Sequence, residues 1–201
     1  MGFLTEYQPS TVTLGKIKFL INPAYDSVLE VQRLFSEEEL TERDKVEQAL
    51  KMLVVNGRRL RSIEGKAKVD LLNEIYRQCI NTRKHPPSRK NTRVLDFECD
   101  GEYIYSSFML DYGIDLIDEQ GRLPWKKFIA LFQGLSEHTK IREVMRIRSM
   151  DVPRPTGKNG KQIQEIMDLK SYYALPVKGG GGQAGLDALF SALEGMAVKS
   201  G

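Results

Sequence analysis

The sequence predicts a mainly α-helical protein of the α+β class, with a bundle-like helical domain, an N-terminal β-hairpin and a flexible C-terminal tail. Apolar residues recur at spacings of three and four through most of the chain, as on one face of a helix. Residues 11–21 alternate in polarity on either side of Gly15 and Lys16, which is typical of a hairpin. A glycine-rich run over 178–185 then predicts a flexible linker near the C-terminus.

The composition is that of a globular protein. Of the 201 residues, 41% are hydrophobic and 28% are charged, which suffices for one domain with a sizeable core. No apolar run approaches the ~20 residues that span a bilayer, so we expect no membrane partner. A net charge of +3 is too small to indicate a nucleic-acid partner by itself. Two cysteines, Cys79 and Cys99, predict buried free thiols in a reducing cytosol.

The expected organisation is one domain over 1–177, the linker over 178–185 and a short amphipathic tail helix over 186–201. Within the domain we expect an N-terminal half, an exposed basic loop and an aromatic helical unit, over 1–82, 83–93 and 94–177. The loop contains two prolines, which oppose a helix, and five basic residues, which favour solvation.

The N-terminal half contains three amphipathic stretches after the hairpin. Asn22 is the predicted N-cap of the first helix, and Ser36 and Glu39 have the spacing of a capping box before the second. Residues 58–65 fit either a loop or a helix. The three helices are predicted over 24–35, 41–53 and 66–82.

The aromatic unit begins with a well-delimited helix over 101–112. Asp100 is the predicted N-cap, Glu102 places a negative charge in the first turn, and Gly113 has the position of a left-handed C-cap. Asp96, Glu98 and Asp100 alternate before it, so in an extended segment their carboxylates share one face. A solvated face is favoured there over a cation site, because the pattern lacks the other ligands of a calcium loop.

A second helix is predicted after Pro124, with Trp125, Phe128 and Phe132 at helical spacing. These aromatic residues fit a hydrophobic core. Where part of their face is exposed, they fit a groove that binds a helix. Both interpretations stay open from the sequence.

A third helix is predicted to begin at Ser136, with its basic residues facing water. Arg142, Arg146 and Arg148 would then form a basic surface, which is the basis for considering a nucleic-acid-binding regulator. Interspersed acidic residues and the nearly neutral overall charge favour an ordinary solvated face. A further amphipathic helix is expected over 161–173.

Two runs in the aromatic unit carry a family resemblance: FECDGEYIYSSFMLDYGIDL over 97–116 and LPWKKFIALFQGLSEHTKIREVMRIRS over 123–149. The chain resembles small tail-assembly proteins of phages and prophages of Gram-positive bacteria. Their genes lie just before the tape-measure gene, and they are regarded as tail assembly chaperones. The resemblance covers roughly residues 11–175. Pro124 departs from the family pattern, which has a polar or aromatic residue before the tryptophan.

The resemblance implies a chaperone that masks apolar helical segments of the tape-measure protein in the host cytoplasm, without ATP. It also implies contacts with other tail proteins and self-association along the client. The tail helix could dock in its own groove, in a neighbour's groove or on another tail protein, or remain disordered. The candidate partner-binding residues are Tyr103, Tyr105, Trp125, Phe128, Phe132, Leu189, Phe190 and Leu193. The alternatives are a structural tail or connector protein retained in the virion, and the nucleic-acid-binding regulator.

Catalytic signals are few. His85 and His138 are the two histidines, and neither has metal-ligand spacing with another histidine or a cysteine. Neither glycine-rich stretch has the pattern of a phosphate-binding loop. We therefore expect no enzyme, no catalytic residues, no metal and no cofactor.

Overall fold

A computed structural model of the chain describes residues 10–37, 39–81 and 93–176. Its elements are β1 Thr11–Leu14, β2 Ile17–Leu20, α1 Tyr25–Ser36, α2 Glu42–Leu53, a 3₁₀ segment Gly57–Ser62, α3 Lys66–Ile75 with a π-helical continuation Tyr76–Ile80, α4 Gly101–Tyr112, α5 Trp125–Gly134, α6 Lys140–Ser149 and α7 Gly160–Tyr172. The predicted mainly helical class with an N-terminal hairpin is confirmed. The predicted basic loop, apart from Arg93, and the predicted linker and tail helix lie outside the described residues.

The hairpin is an antiparallel pair that covers one end of the core. Its strands turn at Gly15, whose φ of 60° lies in the left-handed region that glycine adopts readily. Val12 and Phe19 lie opposite each other and are both 0% exposed. Leu20 accepts a hydrogen bond from the Val55 amide at 2.9 Å. The hairpin is thereby fastened to the chain that leaves α2.

The N-terminus of α2 differs from the predicted capping box. Thr41 is the N-cap, and its hydroxyl accepts a hydrogen bond from the Asp44 amide at 3.2 Å. Ser36 instead ends α1 and donates its hydroxyl hydrogen to the Arg33 carbonyl at 2.7 Å. The capping-box prediction with Glu39 was wrong because a second hydroxyl, five residues further on, fulfils the same role.

The predicted cap of α1 was also wrong. Ala24 occupies the N-cap position, and Asn22 donates its side-chain amide to the Gly121 carbonyl at 3.1 Å. The Tyr25 amide donates to the Leu123 carbonyl at 2.9 Å, so the start of α1 is bonded to the chain that precedes α5. A contact between segments about a hundred residues apart therefore replaces the local cap.

One cluster of buried apolar side chains runs from the hairpin through α1, α2, α3, α4 and α5 to Ile141 in α6. Between the two halves, Lys126 in α5 donates to the carbonyl of Gln78 in the π-helical continuation at 2.6 Å. The N-terminal half and the aromatic unit therefore share one interior. On the outside, α7 contains no buried residue and leaves Met167 and Tyr172 exposed.

The helix after α5 begins later than predicted. Ser136 lies in a turn, where its amide and hydroxyl donate to the Asp111 carboxylate at 2.6 and 3.0 Å. The N-cap of α6 is Thr139, whose hydroxyl donates to the Ser136 carbonyl at 2.7 Å. The turn thus connects α6 to the end of α4 before the helix starts.

The end of α4 gives a first testable prediction. Gly113 adopts a φ of +63° as the C-cap, as predicted, whereas Gly101 at the start of the same helix has no positive φ. Gly113→Ala is expected to lower the free energy of unfolding by about 1 kcal/mol, because an alanine side chain opposes the left-handed conformation. Urea denaturation monitored by circular dichroism would measure the change.

Gly101→Ala is the matched control. A Cβ at Gly101 or at Gly113 would meet no atom within 4 Å, so neither substitution creates a clash. Both substitutions also reduce the conformational entropy of the unfolded chain to the same extent. The difference between their free energies of unfolding therefore reports the cost of the left-handed conformation at residue 113. Equal effects of the two substitutions would contradict the prediction.

Candidate partner-binding groove

The centre of the aromatic unit is a cluster of rings around Phe128. Trp125 is 0% exposed, Phe128 is 1% exposed and Phe132 is buried. The structure therefore places these three candidate partner-binding residues in the core. Of the two interpretations that the sequence left open, a core and a helix-binding groove, their burial agrees with the first. The rings whose centroids lie within 6.4 Å of that of Phe128 are Tyr25 at 4.8 Å, Phe108 at 5.2 Å, Trp125 at 5.6 Å, Phe97 at 5.9 Å and Phe132 at 6.4 Å.

An apolar groove opens beside this cluster, between α1, the start of α4 and the segment 114–117. Its volume is about 390 Å³. Phe97, Ile104 and Phe128 contribute to its floor, and each is buried. Ile117 lies on its rim and remains 64% exposed. A buried aromatic floor with an exposed aliphatic rim is the arrangement that an apolar helix face can fill.

Two tyrosines position the walls of the groove. Tyr25 donates its hydroxyl hydrogen to the Leu116 carbonyl at 2.6 Å and so holds the segment 114–117 against α1. On the α4 side, the hydroxyl of Tyr105 lies 3.0 Å from a carboxylate oxygen of Asp115. Asp115 also accepts a hydrogen bond from the Ile117 amide at 2.9 Å. The loop that bears Ile117 is therefore fixed by hydrogen bonds to both walls of the groove.

Both tyrosines keep their protons at neutral pH. Burial, followed by the nearby charge of Asp26, raises the pKa of Tyr25 to about 12. The hydrogen bond with Asp115 raises the pKa of Tyr105 above its ordinary value. Each hydroxyl can therefore act as a donor in the pairing that shapes the groove.

Two of the candidate partner-binding residues line the groove and others lie elsewhere. Tyr105 and Phe128 line the groove. Tyr103 instead packs edge-on against Tyr173, which follows α7, with ring centroids 6.1 Å apart. Leu189, Phe190 and Leu193 lie outside the described residues. Sequence reasoning missed the contributions of Leu29, Leu116 and Ile117, which have no aromatic signature and converge only in the folded chain.

The predicted basic surface does not form. Arg148 was expected to face water, but it is 8% exposed and pairs with Asp100 through two bonds of 2.6 and 2.7 Å. Arg142 is half-buried and donates to the carbonyls of Gln133 and Leu135 at the end of α5. Arg146 is exposed. Arg142 and Arg148 are thus used in contacts within the fold, and the three arginines do not form a stripe for a nucleic-acid backbone.

The carboxylates before α4 also differ from the prediction of a shared solvated face. Asp96 and Asp100 are buried, and Glu98 is exposed. Asp96 accepts hydrogen bonds from the amides of Glu98 and Cys99, each at 2.9 Å. Burial raises the pKa of Asp96, but the bonds from the Cys99 amide and Arg93 outweigh it, so the net pKa lies below its usual value. This segment is a turn that uses the carboxylates of Asp96 and Asp100 internally.

Asp100 occupies the predicted N-cap position of α4, but its side chain does not cap the helix. Its carboxylate accepts from Arg148 and from the Asp96 amide at 2.9 Å. The prediction of a side-chain cap was wrong because the Asp100 carboxylate pairs with the guanidinium of Arg148 in α6 instead. Cys99 was predicted to be buried and is exposed, whereas Cys79 is buried and burial raises its pKa to about 11.

Within residues 10–37, 39–81 and 93–176, no group of three or more histidine, cysteine or carboxylate side chains is arranged to hold a metal ion. Over the same ranges, every helix is too short or too polar to cross a membrane. The groove is therefore the feature of the described chain that we consider for function.

A sequence model of a protein family described as "Bacteriophage Gp15 protein" matches residues 4–175. The match includes all of the elements that form the groove and ends before the glycine-rich run. No curated protein and no solved structure matches the chain.

Proposed function

Since the chain belongs to the bacteriophage Gp15 protein family, we propose that it is a tail assembly chaperone that binds and masks apolar helical segments of the tape-measure protein. Family membership supports a role in a bacteriophage. The masking role is supported by the apolar groove, whose rim residue Ile117 is 64% exposed. In this proposal the protein acts in the cytoplasm of a Gram-positive host, before the tail tube encloses its client.

The groove suits reversible binding without covalent chemistry. A volume of about 390 Å³ is that of a small-molecule site, for which ~300–1,000 Å³ is usual, so the groove admits a few apolar side chains of a helix. An amphipathic helix presents side chains at positions i, i+3, i+4 and i+7, and such a row can enter the groove from above. Burial of apolar surface then provides the binding free energy. One groove covers a short stretch, so we propose that several copies line up along the client.

Coexpression with the tape-measure protein of the same genome tests this proposal. We expect the client to be insoluble alone and to copurify as a soluble complex with this chain, as measured by affinity purification and size-exclusion chromatography. Ile117→Asp is expected to reduce the recovered complex by about tenfold or more, because it places a charge against an apolar partner. Ile117 is exposed, so the fold should tolerate the change.

Met167→Asp provides the control. Met167 is an exposed apolar residue of α7, and the substitution introduces the same charge away from the groove. We expect it to leave the complex intact. Failure of the chain to hold the client in solution, together with its presence at stoichiometric amounts in purified tails, would contradict the proposal and favour a structural tail or connector protein.

A further inference from the structure

Carboxylates lie beside several of the residues that line the apolar groove. Glu102 lines it directly, and none of the other described side chains that line it is charged. Further carboxylates lie one or two positions along the chain from lining residues, on α1, on the turn before α4 and on the loop after it. The acidic rim consists of Asp26, Glu98, Glu102, Asp115, Asp118 and Glu119.

Much of this acidic rim is not neutralised within the described chain. Glu98, Glu102 and Asp118 are exposed, and none of them makes an ion pair with another described residue. The nearby cation Arg33 pairs at 2.9 Å with Glu30, which follows the lining residue Leu29, and the charge of Glu98 also acts on Arg33. Carboxylates therefore outnumber cations beside the groove, although the whole chain carries a net charge of +3.

The charges are close enough to act on the groove itself. After burial, Asp26 and then Asp115 and Glu119 contribute to the raised pKa of Tyr25, which lies in one wall. In the opposite wall, the pKa of Tyr105 is raised by Asp115 and Asp118. The carboxylate of Asp115 also accepts a hydrogen bond from the Tyr105 hydroxyl. Carboxylates thus influence both walls, while the floor between them is apolar.

We propose that the groove selects an amphipathic helix whose apolar stripe is flanked by lysine or arginine side chains. This inference rests on the proposed masking function and specifies the chemistry of its client. The apolar stripe fills the groove and supplies affinity. The flanking cations meet the acidic rim, which orients the helix and excludes helices with acidic flanks.

The chain's own tail is a poorer match for this surface. The segment 186–201 has an apolar pattern, but its charged residues are Asp187, Glu194 and Lys199, so it is slightly acidic. Like charges at the rim would oppose its docking. A basic helix of another protein is therefore the occupant that the charge pattern favours.

Two synthetic peptides test the selectivity with the full-length chain. Both are helices of about 18 residues with the same leucine stripe, and the rest of the polar face is lysine in one and glutamate in the other. In fluorescence anisotropy at about 50 mM NaCl, the lysine peptide is expected to bind about tenfold more tightly than the glutamate peptide. At about 500 mM NaCl the two affinities should differ by less than about threefold, because salt screens the rim.

Charge reversal at the rim provides the matched variants. The double substitution Glu102→Lys and Asp118→Lys changes two exposed residues, and we expect it to abolish or invert the preference for the lysine peptide. Glu165→Lys with Asp168→Lys makes the same change of net charge on the exposed surface of α7. This control should keep the preference of the unmodified chain.

The outcomes separate this inference from the masking function. If both peptides bind equally and Ile117→Asp abolishes both interactions, the groove binds helices but the charge selectivity is refuted. If the tape-measure protein copurifies and neither peptide binds, selectivity for basic flanks is likewise refuted. If the lysine peptide binds only after Phe190→Asp, the tail fills the groove and a basic partner is not its occupant. If neither the peptides nor the tape-measure protein binds, the masking function fails, and the inference with it.

Discussion

Arg148→Ala is expected to lower the free energy of unfolding by about 3–5 kcal/mol. The guanidinium of Arg148 is buried and forms two bonds with the Asp100 carboxylate. It also donates to the carbonyls of Val94 at 3.0 Å and Tyr173 at 2.6 Å. Truncation would leave the Asp100 carboxylate, which is 1% exposed, without its counter-charge in the interior. An uncompensated buried charge is among the large costs that a single substitution can impose on a fold.

Urea denaturation of Arg148→Ala beside Arg146→Ala measures this effect. Arg146 lies on the same helix and is exposed, so its truncation should change stability by no more than about 0.5 kcal/mol. Arg148→Lys should fall between the two variants, because lysine keeps the charge but lacks the planar fork that bonds both carboxylate oxygens. If Arg148→Ala and Arg146→Ala are equally stable, the ion pair between Arg148 and Asp100 does not hold α4 and α6 together as the structure implies.

The arginines also show where sequence reasoning reached its limit. The hairpin turn at Gly15 and the end of α4 at Gly113 were predictable, because both depend on a local backbone conformation that favours glycine. The pair between Arg148 and Asp100 joins residues 48 positions apart. No periodicity marks such a partner, so a charged residue at the end of an amphipathic helix was assigned to the solvent.

The groove was predictable only in part. Helical spacing identified Phe128 as a core residue or as part of a binding surface, and the structure shows that it is buried and lines the groove. The other side of the groove comes from Leu29 in α1 and from Leu116 and Ile117 in the loop after α4. These segments meet because Tyr25 donates to the Leu116 carbonyl across 91 positions of the chain. The loop carboxylates of the acidic rim, Asp115, Asp118 and Glu119, lie on the segment that this contact holds.

Phe128→Ala is expected to lower the free energy of unfolding by about 3–5 kcal/mol. Phe128 is 1% exposed and contacts rings from α1, α4 and the turn before α4, so its truncation leaves a cavity where these elements meet. Phe128→Leu keeps most of the side-chain volume and should cost less than about 1.5 kcal/mol. Tyr172→Ala, at a residue that is 78% exposed, should change stability by no more than about 0.5 kcal/mol in the same denaturation experiment.

The leucine variants separate the structural role of Phe128 from its role in binding. Phe132 belongs to the same ring cluster and is buried, but it does not line the groove. Phe128→Leu and Phe132→Leu should therefore reduce stability by similar amounts, while Phe128→Leu alone weakens binding of the lysine peptide. An equal loss of binding in both variants would mean that the peptide senses the stability of the core. A loss confined to Phe128→Leu would mean that the aromatic floor contacts the client, because only that change alters the surface on which an apolar helix rests.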